Sequence, residues 1–407
     1  MHDRLIESSL IDRIRRPFID ILFGARQTGK TTVLNKILDP RIRYNLADPR
    51  ERSRLLANPG IFIRECEGLP RSERMQQVFI DEIQSVPALF DAVQMLYDQD
   101  KTRWKFILCG SSARKLRSMG TNLLPGRSVL HRLFPLILTE HPATEGSVSE
   151  EIVRIDMKID RPFPGHDLET RLAFGDFPGI VTLRDDQERT LILQSYCEIH
   201  LQEEIRREAM VKDWGHFINF LKLAALESGR ITNFASISRE VGVSIPTVKS
   251  YYQLIEDMLL GFRIEAFSGS TRKNVLSTPR FLFIDVGVRH AAAGIPPGYS
   301  AVASDPGNVF EQWVGAELYK RLAYRRKGRL SYFRTKTGVE VDYIVEIDDE
   351  LIPIEVKWTE NPTSTDARHL RTFLQEHDRA KTGYIVCRCK RPMQIEDHVR
   401  AIPWFAL

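Results

Sequence analysis

Apolar residues fall into short dense runs near the amino end of this 407-residue chain and into alternating or helical patterns further on. "FIDILF" (18–23) is apolar enough for a buried strand, and "TTVLNKIL" (31–38) after it has helical spacing. Val78-Phe79-Ile80 forms a second run apolar on both faces, the pattern of a strand inside a parallel sheet. "KFILCGSS" (105–112) is a third such strand, ending in small polar residues. Strands alternating with helices predict an α/β first domain over 1–142. Residues 142–170 are rich in Pro, Gly and charge and read as a connector, and "LILQSYCEIHLQEEIRREAMV" (191–211) has the spacing of a long helix. Together they predict a helical lid or connector over 143–215.

In "FASISREVGVSIPTVKSYYQL" (234–254), Ile237, Val241, Val243, Val248 and Tyr251 fall at the spacing of a helix-turn-helix core, with Gly242 at the turn. "LLGFRIEAF" (259–267) alternates like a wing strand, so 216–270 reads as a winged helix-turn-helix. Docked on DNA, Ser244, Lys249, Ser250 and Gln253 would face the groove. Only one of these is basic, and Glu256 and Asp257 follow, so a structural lid is the competing reading. The remainder, 271–407, opens on the strand "RFLFIDV" (280–286). An amphipathic helix over 307–324 and a β-meander over 330–358 follow.

The first turn between strand and helix carries the chemistry. Gly24-x4-Gly29-Lys30-Thr31 is a P-loop: Gly24, Ala25, Arg26, Gln27, Thr28 and Gly29 curl their backbone around a polyphosphate. Lys30 neutralises phosphate charge, the Thr31 hydroxyl ligates Mg²⁺, and Thr32 opens the helix whose positive end faces the anion. Asp81 and Glu82 emerge at the carboxyl end of the second strand, Asp81 to hold Mg²⁺ and Glu82 to polarise the attacking water. Ser111 or Ser112, at the end of the third strand, is placed for the γ-phosphate or the water. Arg127, after Gly126, is the candidate arginine finger, in cis or from a neighbouring subunit. ATP and Mg²⁺ are the expected cofactors.

"LFGARQTGKTTVL", "YNLADP", "VFIDEIQ", "LCGSSARKL", "LPGRSVLHRLFPLILTE" and "FPGIV" together resemble one family. It is the prokaryotic AAA-type P-loop ATPases with a C-terminal domain of unknown function, related to archaeal ATPases of the STAND-like branch. Relatives commonly carry Pro-Leu-Ser-Phe where this chain has Pro135-Leu136-Ile137-Leu138. The resemblance implies ATPase architecture more firmly than a cellular role.

In the tail, a turn centred on Asp348-Asp349 sets Asp342 opposite Glu355. Glu355 and Lys357, two apart on one strand, face the same side. Glu311 or Glu317 joins from the helix, and the carboxylates form a candidate second metal site with Lys357 beside it. The arrangement resembles the PD-(D/E)xK nuclease fold, with Glu311 as the helical acid. The overall expectation is thus an α/β P-loop NTPase sheet, then a winged helix-turn-helix, then an α/β nuclease-like domain.

Charge narrows the partners. The net charge of +4 says little, but 321–338 holds seven cations and no acid, Arg325, Arg326 and Lys327 among them, and reads as a phosphate-contact surface beside the tail site. No run approaches 18 apolar residues, the amino end lacks an apolar signal core, and five scattered cysteines fit no zinc or disulfide framework. A cytoplasmic, membrane-free protein is expected. DNA is the expected partner, with homo-oligomers, a hexamer among them, if Arg127 acts in trans. The alternative is a regulatory ATPase switch acting on a protein partner, with a non-catalytic tail.

Overall fold

The computed structural model describes residues 3–111, 124–140, 168–201, 213–267 and 278–407. It divides into two compact units, one of Asp3–Phe134 with Asp257–Leu259, the other of Pro135–Glu256 with Leu260–Leu407.

The first unit is built on five parallel strands: β1 (Ile19–Gly24), β2 (Ile42–Asn45), β3 (Gln76–Asp81), β4 (Trp104–Gly110) and β5 (Ser128–Leu133), in the order β2-β3-β4-β1-β5. All six residues of β1 and all seven of β4 are buried, as continuous apolar runs predict for a sheet covered on both faces. Helices α1 (Ile6–Ile14), α2 (Lys30–Ile37), α3 (Pro49–Ala57), α4 (Gly60–Glu67) and α5 (Leu89–Gln99) complete it. Phe62, Phe90 and Val93 from these helices meet Ile21, Phe23, Ile80 and Phe106 in one core. The order matters for function. β4 lies between the P-loop strand β1 and the Asp-Glu strand β3, so three carboxyl ends converge.

Two charges buried in this sheet are satisfied internally. Lys105 Nζ meets the carbonyls of Arg13, Arg16 and Phe18 at 3.1, 3.0 and 2.6 Å and pairs with Asp20, whose other oxygen lies 2.7 Å from His131 Nε2. A buried charge is tolerated only with such partners.

The second unit contains the eight-stranded mixed sheet β12-β13-β11-β10-β9-β8-β6-β7. Its strands are β6 (Gly261–Ala266), β7 (Arg280–Phe283), β8 (Arg329–Arg334), β9 (Glu340–Ile347), β10 (Glu350–Val356), β11 (Gly383–Cys387), β12 (Met393–Glu396) and β13 (Val399–Pro403). Helices Phe234–Val241 and Ile245–Asp257 are joined through Gly242 at φ +77°, a left-handed turn that glycine adopts without steric cost. Ile237, Val241, Val248 and Tyr251 are buried as their spacing requires. β6 and β7 follow as an antiparallel pair, Ile231 bridges to Arg280, and β6 also pairs in parallel with β8. The strands after the helical hairpin therefore belong to the same sheet as the tail.

The helix Pro306–Arg325 packs on this sheet where Gly315 leaves room. A Cβ there would lie 2.3 Å from the Tyr343 hydroxyl, which instead donates to the Glu311 carbonyl at 2.8 Å. The segment expected as one helix over 191–211 is α-helical over Asp186–Ser195 and π-helical over Tyr196–Leu201, and the remainder lies outside the described residues. Among the described residues no helix is long and apolar enough to cross a membrane.

Candidate functional site

β1 delivers the chain to a tight loop. A Cβ on Gly24 would lie 2.5 Å from the Leu133 carbonyl oxygen of β5, so only glycine fits there. Gln27 and Gly29 have φ of +64° and +89°, the turns that curl the loop. Gly29 caps α2 and has no side chain to satisfy the first-turn amides, which leaves a ready anion site. Lys30 is buried, its Nζ resting 2.7 Å from the Gly24 carbonyl and 2.9 Å from that of Ala25. Arg26 is half-buried, while Gln27, Thr31 and Thr32 are exposed.

Thr31 Oγ1 donates to Asp81 Oδ2 at 2.9 Å across the mouth of the sheet. A hydroxyl and a carboxylate brought together beside a phosphate cradle fit the protein share of a nucleotide-bound Mg²⁺, which completes its shell with water and phosphate oxygens. Glu82, one residue on, has φ +56°, uncommon for a non-glycine residue. Burial, and then the neighbouring Asp81 charge, push its carboxyl above the ordinary value against the pull of Lys30.

Gln84 was not anticipated by sequence reasoning. It is buried in the middle of the 3₁₀ turn Ile83–Ser85, and its Nε2 donates both to Glu82 Oε2 and, at 3.0 Å, to Ser111 Oγ. Its Oε1 is buried without a partner among the described residues. Of the two serines considered, Ser111 therefore stands at the site, and Ser112 lies outside the described residues.

Arg127 is not brought to this P-loop. β5 runs parallel to β1 with Ser128 beside Ile19 and Leu133 beside Gly24, and the Arg127 carbonyl accepts from Ile19 N. Arg127 thus stands at the amino edge of the sheet, roughly 20 Å of strand from Gly24 at about 3.3 Å per residue. Its Nε pairs with Asp98 at 2.6 Å. The cis role expected from the Gly-Arg pattern is corrected by the parallel register.

With this geometry in place the comparisons decide the domain type. The family model described as an AAA domain matches residues 16–141. Residues 16–141 are an AAA domain. Beyond it, one domain of unknown function (DUF8612) matches 165–298 and another (DUF4143) matches 306–407. The chain is similar to uncharacterized proteins of Mycobacterium bovis and Mycobacterium tuberculosis, each 23% identical over 393 residues, 96% of this chain and 81% of the relative. Among solved structures it is similar to the Aeropyrum pernix ORC1 protein in complex with DNA, with TM-score 0.30 and 14% identity over 73% of this chain and 94% of that one. A Drosophila ORC bound to AT-rich DNA and Cdc6 matches with TM-score 0.23 and 10% identity, over 70% of this chain and 88% of that one. Scores at this level carry no argument about function. The AAA domain itself supports nucleotide use and ATPase activity at the level of the family.

In the second unit the β9–β10 hairpin has the expected register, with Ile347 beside Glu350 and Tyr343 beside Ile354, so the next pair is Asp342 and Glu355. Asp342 Oδ2 accepts from Val356 N at 2.8 Å, and Lys357 Nζ lies 2.6 Å from Glu355 Oε1. Burial and the Asp342 charge push Glu311 and Glu355 each up to about 8, and burial raises Asp342 as well. The acids do gather. Their counter-charge comes from within the chain, since the buried Arg280 pairs with Glu311 at 2.9 Å and also with Glu340. Among the described residues no group of three or more His, Cys, Asp or Glu side chains is placed to hold a metal ion. The second metal site expected at Asp342, Glu355 and Glu311 is thus not pre-formed among the described residues: Arg280 meets Glu311, Lys357 meets Glu355, and Asp342 accepts from the Val356 amide.

Glu317, the other helical acid considered, is fully buried and bound to Arg321 Nε at 2.7 Å and to Leu138 N at 2.8 Å, a structural tie. The basic run is not beside the acids as a whole. Arg325 and Arg326 are exposed at the end of the long helix, and Lys327 pairs with Asp348 at the hairpin tip, about 20 Å of strand from Asp342. Arg334, 3.8 Å from Glu340, reaches the acidic end. On the helix Ile245–Asp257, Lys249, Ser250 and Gln253 are exposed. Lys249 Nζ lies 5.3 Å from the Phe234 ring centre, and Gln253 Oε1 accepts from Arg263 at 2.7 Å.

Proposed function

We propose that this chain hydrolyses ATP and couples the turnover to rearrangement on DNA. The observation that carries the hydrolytic part is the Thr31–Asp81 bond, with Glu82 beside it in the grip of Gln84. In this reading the amides of residues 24–29 bind the phosphates, and Lys30 leaves its loop carbonyls to meet them. Thr31 and Asp81 would hold Mg²⁺, which would neutralise charge developing on the phosphate oxygens. Glu82 accepts the proton of the attacking water, a stronger base for the upward shift that burial gives its carboxyl. Asp98-paired Arg127 serves only a neighbouring copy, so the finger requires assembly.

The DNA part is supported by the helical hairpin followed by an antiparallel strand pair, the order of a winged helix, with Lys249 and Ser250 exposed on its second helix. Exposed Arg325 and Arg326 add cationic surface. The tail, with Asp342, Glu355 and Lys357 on one hairpin, is read as nuclease-like in fold. The test is the ATPase rate with and without duplex, single-stranded and branched DNA. Stimulation by any of these supports the reading, and indifference to all of them removes DNA as the partner.

A second reading, a regulatory switch acting on a protein partner, is favoured by one observation. Gln253, expected to face the groove, is engaged by Arg263, which Glu256 also binds. Slow turnover that DNA does not change supports the switch.

A further inference from the structure

The residues before the AAA match contribute directly to the nucleotide loop. Arg4 is 5% exposed. Its Nη1 donates to the Thr28 carbonyl at 2.7 Å and its Nη2 to the Phe134 carbonyl at 2.6 Å, so one guanidinium holds the P-loop and the residue after β5 together. The segment is pinned at both sides. Arg4 N donates to Glu7 Oε1, and Lys36 on α2 pairs with Asp3 and Glu7 at 2.6 and 2.7 Å.

Thr28 is the residue where the loop reverses. Its hydroxyl donates to the Ala25 carbonyl at 2.8 Å, and Gly29 follows in the left-handed region. In a trans peptide the carbonyl and the next amide N–H point in opposite directions, and the described chain has no cis peptides. Holding the Thr28 carbonyl on Arg4 therefore turns the Gly29 N–H to the other side of the loop. That amide is one of those available to a phosphate at the start of α2. A guanidinium is suited to this task because its fixed fork reaches two carbonyls at once and stays charged.

We propose that Arg4 is a positioning residue of the nucleotide site. It orients the Thr28–Gly29 peptide for the polyphosphate and ties that orientation to the end of β5. The proposal rests on the ATPase reading above. Arg4 touches no reacting atom, so its loss acts on binding: KM for ATP rises roughly tenfold in Arg4→Met, the size of one charge-assisted hydrogen bond lost, while kcat at saturating ATP stays within about twofold.

A purely structural role would behave otherwise, because a smaller folded fraction lowers apparent kcat and leaves KM alone. Arg4→Lys, whose ammonium reaches one carbonyl without the fork, should show an intermediate KM, and it carries the test if Arg4→Met does not fold. The measurement is steady-state ATPase kinetics on the full chain, with direct ATP titration of each variant. A wild type that neither binds nor hydrolyses ATP overturns the ATPase reading and this proposal with it. An active wild type whose folded Arg4 variants keep the wild-type KM and ATP affinity overturns the Arg4 proposal alone.

Discussion

Gln84 joins the carboxyl end of β3 to that of β4, with its Nε2 3.0 Å from Ser111 Oγ and donating also to Glu82. The amide thereby fixes the rotamer of the residue assigned as base. Gln84→Leu should keep ATP affinity and lower kcat, by up to ~10²-fold if the carboxylate swings an ångström out of line. Gly110→Ala should act in the same direction, since its Cβ would lie 2.5 Å from Gln84 Oε1. Unchanged kcat in both variants, read from steady-state ATPase assays, contradicts this role.

Lys30→Ala should abolish measurable ATP binding by titration. The lysine's present partners are two buried loop carbonyls, so the nucleotide-free variant should also lose some thermal stability. Retained binding would detach the P-loop from the function assigned to it.

How much of this was legible in the sequence differs residue by residue. The P-loop and the Asp81-Glu82 pair could be read because each needs a fixed residue type at a fixed distance from an apolar strand. The Asp342–Glu355 pairing could be read because a two-residue turn sets the register of everything before and after it. Gln84 was not legible: the left-handed backbone at Glu82 redirects the chain, and no spacing rule says that a residue two further on turns back. For Arg127 only the cis alternative falls, because Gly-Arg after a strand does not say which edge of the sheet the loop occupies. The parallel pairing with Ile19 decides that. The basic run reads as one surface in the sequence, whereas a 20-residue helix carries Arg325 and Arg326 to the far end from Glu311.

Arg280 is the counter-ion of the tail acids. Arg280→Gln removes a buried guanidinium from Glu311 and Glu340 and should lower stability by roughly 1–3 kcal/mol, the penalty for orphaning a buried polar partner. In folded, nucleotide-free Arg280→Gln, Mn²⁺ binding followed by electron paramagnetic resonance should exceed that of the wild type and vanish on adding Asp342→Asn. Equal binding with and without Arg280 contradicts the counter-ion role.

His290 sets a pH dependence. It is fully buried between Arg289, 3.1 Å from its Nδ1, and the Leu172 carbonyl, 3.0 Å from its Nε2. Burial and the arginine charge push its pKa down to about 4 from 6.5. The unfolded chain therefore takes up this proton first as pH falls, and the stabilisation present above pH 6.5 is lost between there and pH 4. By linkage the loss from pH 7 to pH 5 is about 2 kcal/mol for this group. Unfolding free energies measured at both pH values should show His290→Gln with a shallower slope than the wild type. Parallel slopes would contradict the assignment.

The most direct test of the central claim is ATP binding and turnover in Glu82→Gln, measured side by side with the wild type. The account predicts wild-type ATP affinity, because Lys30, Thr31 and Asp81 are untouched, with kcat reduced by ~10²–10⁴-fold through loss of the base. Turnover within a few-fold of wild type would show that Glu82 does not activate the water, and would contradict the account.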